Sequence, residues 1–324
     1  MINRELIRIK IVQLTYAYYQ NGNNNMDSAE RELEFSLSKA YDLYLCLLSL
    51  IVAVTHEERR RHDIAERRAR AAADTSTPSD KFAYNKFAMQ LEANKQLQQY
   101  IADRKNADGP TWDDNIAFVR KLCDLIEQSE PYNDYMASPE GSYDDDREVW
   151  RKIYKNLITD NDDLNALIED QSLYWNDDKD IVDTFVLKTI KRFDARNKAN
   201  QPLLPDYDDE EAKTFASRLF RATILNGDTY RRYMSEASHN WDFNRLAYMD
   251  IVIMQIAIAE MLTFSEQIPV SVTINEYVDL AKVYSTPRSY AYINGMLDAI
   301  ARHLIDTGRL TVRGGDLHDS NIEN

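Results

Sequence analysis

Three helical patterns follow one another, with short turns between them, from Trp241 to Leu304 near the C-terminal end of the chain. From Arg245 to Phe264, apolar residues fill almost every position. The polar Asp250, Gln255 and Glu260 point in three different directions around a helix. A helix without a broad polar face is typical of a buried central helix. The sequence therefore predicts that this segment forms the centre of a core.

Two amphipathic helices are predicted to follow the central one. Residues 272–284 place Asn275, Asp279 and Lys282 on one face, opposite an apolar face. The last helix is predicted to open at Thr286-Pro287, because threonine suits a helix cap and proline suits the first helical position. Its buried face is predicted to carry Ile293, Met296, Leu297 and Ile300.

Helical periodicity also dominates the rest of the chain, so the predicted fold class is all-α. The first helix is predicted over Asn3–Gln20. The second, capped by Asp27 or Ser28, is predicted to run into the basic stretch that ends at Arg70. Further helices are predicted at 82–102, 112–126, 149–161, 164–170, 181–193 and 210–234, and residues 131–146 are predicted to be irregular.

Composition agrees with an all-helical protein that has a sizeable core. The chain has 324 residues, is 44% hydrophobic, and contains only eight glycines and eight prolines. Its net charge of −15 argues against a protein that binds nucleic acid through bulk positive charge. A local basic patch on an acidic body remains compatible with this charge.

The cysteines and the N-terminus indicate a soluble cytoplasmic protein with no membrane partner. Cys46 and Cys123 lie inside apolar helical patterns, which predicts buried free thiols and a reducing compartment. Charged residues from Arg4 onward interrupt any signal peptide. The longest apolar run, Leu43–Val54, is shorter than the roughly 20 residues that a membrane span needs.

Motifs for catalysis, metals or cofactors are nearly absent from the sequence. Glu236-x-x-His239 matches one half of a di-iron helical site, but no second copy exists to complete it. A metalloenzyme using Glu236 and His239 is therefore the third hypothesis. The prediction is a protein that is not an enzyme and holds neither metal nor cofactor.

Two basic regions admit either a functional or a structural interpretation. On the first helix, Arg4, Arg8, Thr15 and Tyr19 fall within an arc of about 60°. Such a stripe is either an RNA-binding strip or a solvated helix edge. Acidic residues interleave the basic run between His56 and Arg70, which favours an exposed helix laced with ion pairs.

The C-terminal motifs resemble the NusB family. The resemblance rests on Ile274-Asn275-Glu276, on Leu280-Ala281-Lys282, and on the signature Tyr292-Ile293-Asn294-Gly295-x-Leu297-Asp298. It extends upstream to Phe215–Met234, and to Arg8, Gln13, Tyr16 and Tyr18 in the first helix. Residues between about 60 and 205 have no counterpart in short members, as in the long members associated with Bacteroidetes.

The resemblance implies a NusB-like helical bundle of two small subdomains that carries a large helical insertion. The expected division is N-terminal family helices at 1–55, an acidic helical insertion at 56–205 and the C-terminal helical core at 206–310. A disordered tail is expected at 311–324.

The function that the resemblance implies is transcription antitermination. Proteins of this kind bind single-stranded boxA RNA together with the ribosomal protein NusE, and they join the RNA polymerase antitermination complex. They support ribosomal RNA transcription and ribosome biogenesis. The alternative is a helical protein-interaction scaffold that has kept the fold and lost RNA binding.

The resemblance also implies which residues make contacts. Those expected at the RNA are Arg4, Arg8, Lys10, Arg288, Ser289, Tyr290 and Tyr292, and those expected at the protein partner are Tyr16 and Asp250. Structural alternatives exist, namely core packing for Tyr292 and an intramolecular ion pair for Asp250. Glu260 is expected to be structural, and Gly295 is expected to allow a close approach between helices.

Overall fold

A computed structural model gives the fold, and it describes residues 1–22, 25–72, 79–106, 111–138, 141–207, 209–237 and 246–311. The chain forms two compact units. The terminal unit consists of Ile2–Leu37 and the chain from Tyr207 onward, and the insertion unit consists of Met1 and Ser38–Asp206. The predictions for His239 and for the tail after residue 311 concern residues outside the described ranges.

The secondary structure of the described residues is helical throughout. In chain order the α-helices are α1 (Arg4–Gln20), α2 (Met26–Ala71), α3 (Lys86–Glu92), α4 (Lys95–Asn106), α5 (Ile116–Glu127), α6 (Glu130–Ala137), α7 (Tyr143–Ile153), α8 (Asp162–Gln171), α9 (Lys179–Arg192), α10 (Glu210–Leu225), α11 (Gly227–Ala237), α12 (Tyr248–Phe264), α13 (Val270–Tyr284) and α14 (Ser289–Asp306). A π-helical turn at Tyr154–Ile158 continues α7, and a 3₁₀ segment spans Ala195–Asn200.

The all-α prediction is confirmed. Among the described residues, β pairing is limited to one isolated parallel bridge between Ile2 and Tyr207. The terminal unit is interrupted after Leu37 and continues at Tyr207. Both residues line one small cavity inside that unit.

Helix α12 is the centre of the terminal unit, as its unbroken apolar pattern predicts. It packs against α1, α10, α11, α13 and α14. Every residue from Val252 to Met261 is buried, whichever side of the helix it occupies. The three polar residues Asp250, Gln255 and Glu260 are buried too, and each accepts or donates a hydrogen bond within the unit.

Local capping explains where several helices begin. The Asn3 side chain accepts from the Leu6 amide at 2.9 Å and caps α1. The Asn25 side chain accepts from the Ser28 amide at 3.0 Å, so α2 begins before the predicted caps Asp27 and Ser28. Helix α14 begins at Ser289, and the predicted start at Thr286-Pro287 lies in the preceding turn.

The insertion unit contains most of α2 together with α3 to α9, and α7 packs against α3, α6 and α9. The helix predicted over 82–102 is broken, because the Asn94 side chain accepts from the Leu97 amide at 3.1 Å and caps α4. The prediction of irregular structure at 131–146 is wrong. That stretch contains α6 and the first turn of α7, where Ser142 and Asp145 form a reciprocal cap.

The helix predicted over 210–234 is two helices that meet at Asn226. Gly227 begins α11, and a side chain there would lie 2.7 Å from the Tyr19 hydroxyl and 3.0 Å from Gln255 Nε2. Glycine therefore allows this helix end to approach α1 and α12 closely.

Helix α2 contains a stretch long and apolar enough to cross a membrane by length and composition. However, 72% of that stretch is buried inside the protein, which is typical of a core helix.

Candidate nucleic-acid interface

The guanidinium of Arg8 lies in the interior of the terminal unit. Its Nε and Nη2 donate to the two carboxylate oxygens of Glu260 at 2.9 and 2.8 Å, and its Nη1 donates to Glu276 at 2.9 Å. Glu260 also accepts from the Tyr277 and Thr273 hydroxyls, at 2.8 and 3.1 Å. Burial alone would lower the pKa of Arg8, but the hydrogen bonds to Glu260 and its charge raise this pKa above its ordinary value.

This arrangement corrects the prediction that Arg8 and Lys10 contact RNA. Arg8 is 4% exposed and Lys10 is 2% exposed, so neither side chain presents a cation to an RNA phosphate. Arg8 instead joins α1 to α12 and α13. The expectation that Glu260 is structural agrees with these contacts.

Arg4 is the basic residue of the predicted stripe that reaches the surface. Its side chain is 36% exposed and forms an ion pair with Glu211 on α10. The guanidinium also lies 5.5 Å from the centre of the Phe215 ring. Exposed pairs of this kind are weak, so an RNA phosphate can compete for Arg4.

Asp250 holds the turn between α13 and α14 in place. It accepts from the Ser285 hydroxyl and, at 3.0 Å, from the Ser289 hydroxyl. The Thr286 and Ser289 hydroxyl oxygens lie 2.7 Å apart. Asp250 is 4% exposed and Ser289 is 5% exposed, so neither lies on a surface that meets RNA or a protein. The partner contact expected at Asp250 and the RNA contact expected at Ser289 are revised accordingly.

An exposed group of two cations and one aromatic ring remains at this turn, and we call Lys282, Arg288 and Tyr290 the cationic corner. Lys282 Nζ lies 5.7 Å from the centre of the Tyr290 ring and pairs with Asp279 at 2.6 Å. Arg288 is exposed and, among the described residues, has no carboxylate partner. Tyr290 is 41% exposed. The group offers both charge for phosphates and a ring face for a base.

Tyr292 follows the cationic corner along α14 and is half-buried. Burial raises the pKa of its phenol, and the negative charge of Asp250 raises it further. Tyr292 is therefore close to the hydrogen-bonded turn and only partly available to a ligand.

The first helix reaches this turn through a residue that the sequence reasoning did not assign to the site. Gln13 Nε2 donates to the Tyr284 hydroxyl at 3.2 Å, which places the middle of α1 beside the end of α13. One turn further along α1, Tyr16 is exposed and packs edge-to-face against Tyr248, with ring centres 5.7 Å apart. Tyr16 thus lies on the surface, as a partner contact requires.

Lys282 and Tyr248 are surface residues that the sequence reasoning did not include. Lys282 was predicted only as part of a polar helix face. The signal that could have found it is the clustering of Lys282, Arg288 and Tyr290 within nine residues around one turn. Tyr248 carries no comparable signal.

The basic run of α2 is neutralised inside the insertion unit. Its three consecutive arginines pair with acidic residues, namely Arg59 with Glu92, Arg60 with Glu57, and Arg61 with Asp124 and Glu127. For these three arginines this agrees with the interpretation of an ion-paired helix.

Groups that would hold a metal ion are not assembled in the described part of the chain. Among those residues, no cluster of three His, Cys, Asp or Glu side chains could hold a metal ion. Glu236 pairs with Arg309 at 3.3 Å. Both cysteines are buried, and burial raises the pKa of the Cys46 thiol to about 12.

Comparisons with known proteins agree on one family. The NusB family model matches residues 184–302, which include helices α10 to α13 and most of α14. The chain is 36% identical over 114 residues to the transcription antitermination protein NusB of Salinibacter ruber, covering 35% of this chain and 71% of that protein. It is 35% identical over 136 residues to the protein of the same name from Geotalea daltonii, covering 42% of this chain and 90% of that protein.

No solved structure matches the chain. The relatives are transcription proteins and not enzymes, which agrees with the prediction that this chain is not an enzyme. With this sequence similarity and an all-helical fold centred on α12, the chain belongs to the NusB family.

Proposed function

We propose that this protein is a transcription antitermination factor that binds single-stranded boxA-type RNA together with the ribosomal protein NusE. In this role it joins the RNA polymerase antitermination complex in the cytoplasm and supports ribosomal RNA transcription and ribosome biogenesis. Family membership supports the general role. The observation that carries the RNA proposal is the cationic corner, where Lys282, Arg288 and Tyr290 are exposed around a turn fixed by Asp250.

The proposed RNA surface consists of the cationic corner, with Tyr292 following it along α14 and Arg4 as a further exposed cation. Single-stranded RNA presents both phosphates and unstacked bases. Lys282 and Arg288 would pair with phosphates, and Tyr290 would stack against a base. Arg8, Lys10 and Ser289 would act indirectly, by fixing the helices that carry these groups.

The proposed surface for the ribosomal protein includes Tyr16 and its neighbour Tyr248. Both rings are about one-third exposed and touch each other. Exposed aromatic rings are frequent anchors of protein interfaces. The acidic charge of the whole chain would also favour a basic ribosomal partner.

The RNA proposal is tested by titrating boxA RNA over a range of salt concentrations, with and without NusE. Replacing Lys282→Gln and Arg288→Gln together should lower affinity about tenfold and reduce the salt slope by about 1.4, since each phosphate contact on a single strand contributes about 0.7. The matched control is Arg302→Gln with Arg309→Gln, which removes two exposed cations at the other end of α14.

A ring at position 290 can be tested separately. Tyr290→Ala should weaken RNA binding by about 1–3 kcal/mol, whereas Tyr290→Phe should keep most of the affinity, because a stacked base needs the ring face. If the paired lysine and arginine changes bind as tightly as the control, the cationic corner is not the RNA surface. If the unaltered protein binds NusE but no boxA RNA, the scaffold function is favoured instead.

A further inference from the structure

The insertion unit contains a cavity of about 350 Å³ between α2, α4 and residues 111–116. Its volume falls within the range of small-molecule binding sites. Every residue that lines it belongs to the insertion unit. Neither the family resemblance nor the proposed RNA binding assigns this cavity a role.

The inner wall of the cavity is apolar. Val52 and Ala53 of α2 face Ile101 of α4 and Ile116 of α5, with Trp112 beside them. Val52 is 3% exposed and Trp112 is 8% exposed. An apolar wall of this shape favours a ligand whose body is hydrophobic.

The polar atoms of the inner wall are satisfied by the protein itself. The Trp112 indole donates to the Cys46 carbonyl at 3.1 Å and lies 3.0 Å from the Ser49 hydroxyl oxygen. The Ser49 hydroxyl donates to the same carbonyl at 2.7 Å. Because these groups already have partners, the wall does not require a ligand that forms hydrogen bonds there.

Positive charge is concentrated at the edge of the cavity. The lining includes Arg60, Arg104 and Lys105. Arg104 is held in position by the Tyr100 hydroxyl at 3.0 Å and by Asp42 at 3.3 Å. A guanidinium fixed in this way is prepared to meet an anion with little loss of side-chain entropy.

Carboxylates pair with two of these cations, Arg104 with Asp42 and Arg60 with Glu57. Glu57 lines the cavity, but both of its oxygens accept from Arg60, at 2.7 and 2.5 Å. Asp113 is the other acidic lining residue. Lys105 is exposed and has no carboxylate partner among the residues that the structure describes. Lys105 therefore supplies an unpaired positive charge at the edge, next to an apolar interior.

We propose that this cavity is a binding site for a small aromatic molecule that carries one anionic group, such as a carboxylate or sulfonate. The aromatic body lies against Ala53, Ile101 and Trp112. The anionic group lies at the edge, near Arg104 and Lys105. Apolar contact supplies most of the binding free energy, and the cations select the charge.

The test uses the full chain and two dyes that share one aromatic body. 8-Anilinonaphthalene-1-sulfonate carries a negative charge, and N-phenyl-1-naphthylamine is its neutral counterpart. Fluorescence titration should show one strong site per chain, with the anionic dye bound about fivefold more tightly, the effect of about one extra charge contact. Equal affinity for the two dyes would overturn the selection for an anion.

Filling the cavity locates the site. Ala53→Phe should weaken binding of both dyes at least tenfold, an estimate for a ligand displaced from its pocket. The matched control is Ala65→Phe, an exposed position on the same helix, which should bind like the unaltered protein. If Ala53→Phe lowers the helical circular dichroism, the smaller change Ala53→Leu serves instead.

Reversing the charge of Lys105 tests whether the cations at the edge of the cavity bind the anionic group. Lys105→Glu should weaken the anionic dye about fivefold and leave the neutral dye unchanged, because only the sulfonate meets this side chain. If the cavity-filling variants bind both dyes as tightly as Ala65→Phe does, the dyes bind elsewhere and the proposed site is wrong.

Discussion

Both carboxylate oxygens of Glu260 accept hydrogen bonds from the Arg8 guanidinium, at 2.8 and 2.9 Å, in the interior of the terminal unit. Charge-assisted bidentate pairs are the strongest hydrogen bonds between side chains, and their geometry is specific. The pair therefore fixes the position of α1 against α12. A residue expected to touch RNA is part of what holds the fold together.

Removing the cation from this pair should destabilise the protein strongly. We expect Arg8→Met to lower the free energy of unfolding by about 3–5 kcal/mol, because it leaves Glu260 buried without its counter-charge. Urea unfolding followed by circular dichroism measures the change. Arg4→Met is the matched control on the same helix, and its exposed pair should contribute less than about 1 kcal/mol. A stable Arg8→Met variant that has lost RNA affinity would contradict the structural role.

The turn between α13 and α14 should depend on Asp250. We expect Asp250→Ala to cost about 1–3 kcal/mol of stability, because the Ser285 and Ser289 hydroxyls lose their acceptor. Hydrogen exchange should show faster opening of the first turn of α14. Asp279→Ala removes an exposed carboxylate on α13 and should leave that exchange unchanged. If Asp250→Ala instead weakens only the binding of NusE, Asp250 faces the partner after all.

Replacing glycine by alanine should have opposite effects on the stability of the protein at Gly295 and at Gly227. The expectation that Gly295 permits a close helix approach is wrong, since no heavy atom outside its own helix turn lies within 4 Å of an added Cβ. Gly295→Ala should therefore stabilise the protein by about 1 kcal/mol, the usual difference in helix propensity. Gly227→Ala should destabilise it by about 1–3 kcal/mol, because its Cβ would crowd Tyr19 and Gln255.

Thermal unfolding of the two glycine variants checks this pair of predictions. The midpoint should rise for Gly295→Ala and fall for Gly227→Ala. A midpoint that falls in both variants would mean that α14 packs more closely around Gly295 than the structure shows.

Glu58 should make the stability of the protein depend on pH near neutrality. Burial raises the pKa of this carboxyl from its ordinary value of 4.5 to about 7, and the Glu127 charge contributes to the rise. Because the folded form holds the proton more tightly than the unfolded form, this contribution to stability is complete below the unfolded pKa. It is lost as the pH rises through about 4.5 to 7.

The difference between the unaltered protein and Glu58→Gln isolates this contribution. At pH 8 the variant should be more stable by about 3 kcal/mol, and the advantage should disappear near pH 4. Urea unfolding at several pH values measures it. Ala65→Gln, a change at an exposed position of the same helix that involves no titratable group, should show no such trend. A constant offset between the variant and the unaltered protein would show that Glu58 does not titrate in this range.

Periodicity predicted the central helix because its pattern depends on the helix alone. Every side of α12 is apolar, and a helix with that composition has to be surrounded by protein. The same reasoning could not predict whether the Arg8 side chain is buried or exposed. A helical pattern gives the direction of a side chain, but the partners Glu260 and Glu276 come from helices more than 250 residues away along the chain.

Acidic composition misled the interpretation of residues 131–146. Aspartates in a row suggest a solvated loop, yet in the structure Asp144, Asp145 and Asp146 fill the first turn of α7. Negative charge is favourable there because it faces the positive end of the helix dipole. The preceding Ser142, with Asp145 three residues later, was the usable signal for a helix start.

The terminal unit breaks off at Leu37 and resumes at Tyr207, and these two residues line the same small cavity. The 169 residues between them therefore enter and leave that unit at one place. If this segment is deleted, a short linker is enough to join Leu37 to Tyr207. The free-energy cost of closing such a loop grows slowly with the length of the linker. We therefore expect that residues 38–206 can be shortened or exchanged while the helices around α12 keep their own connections.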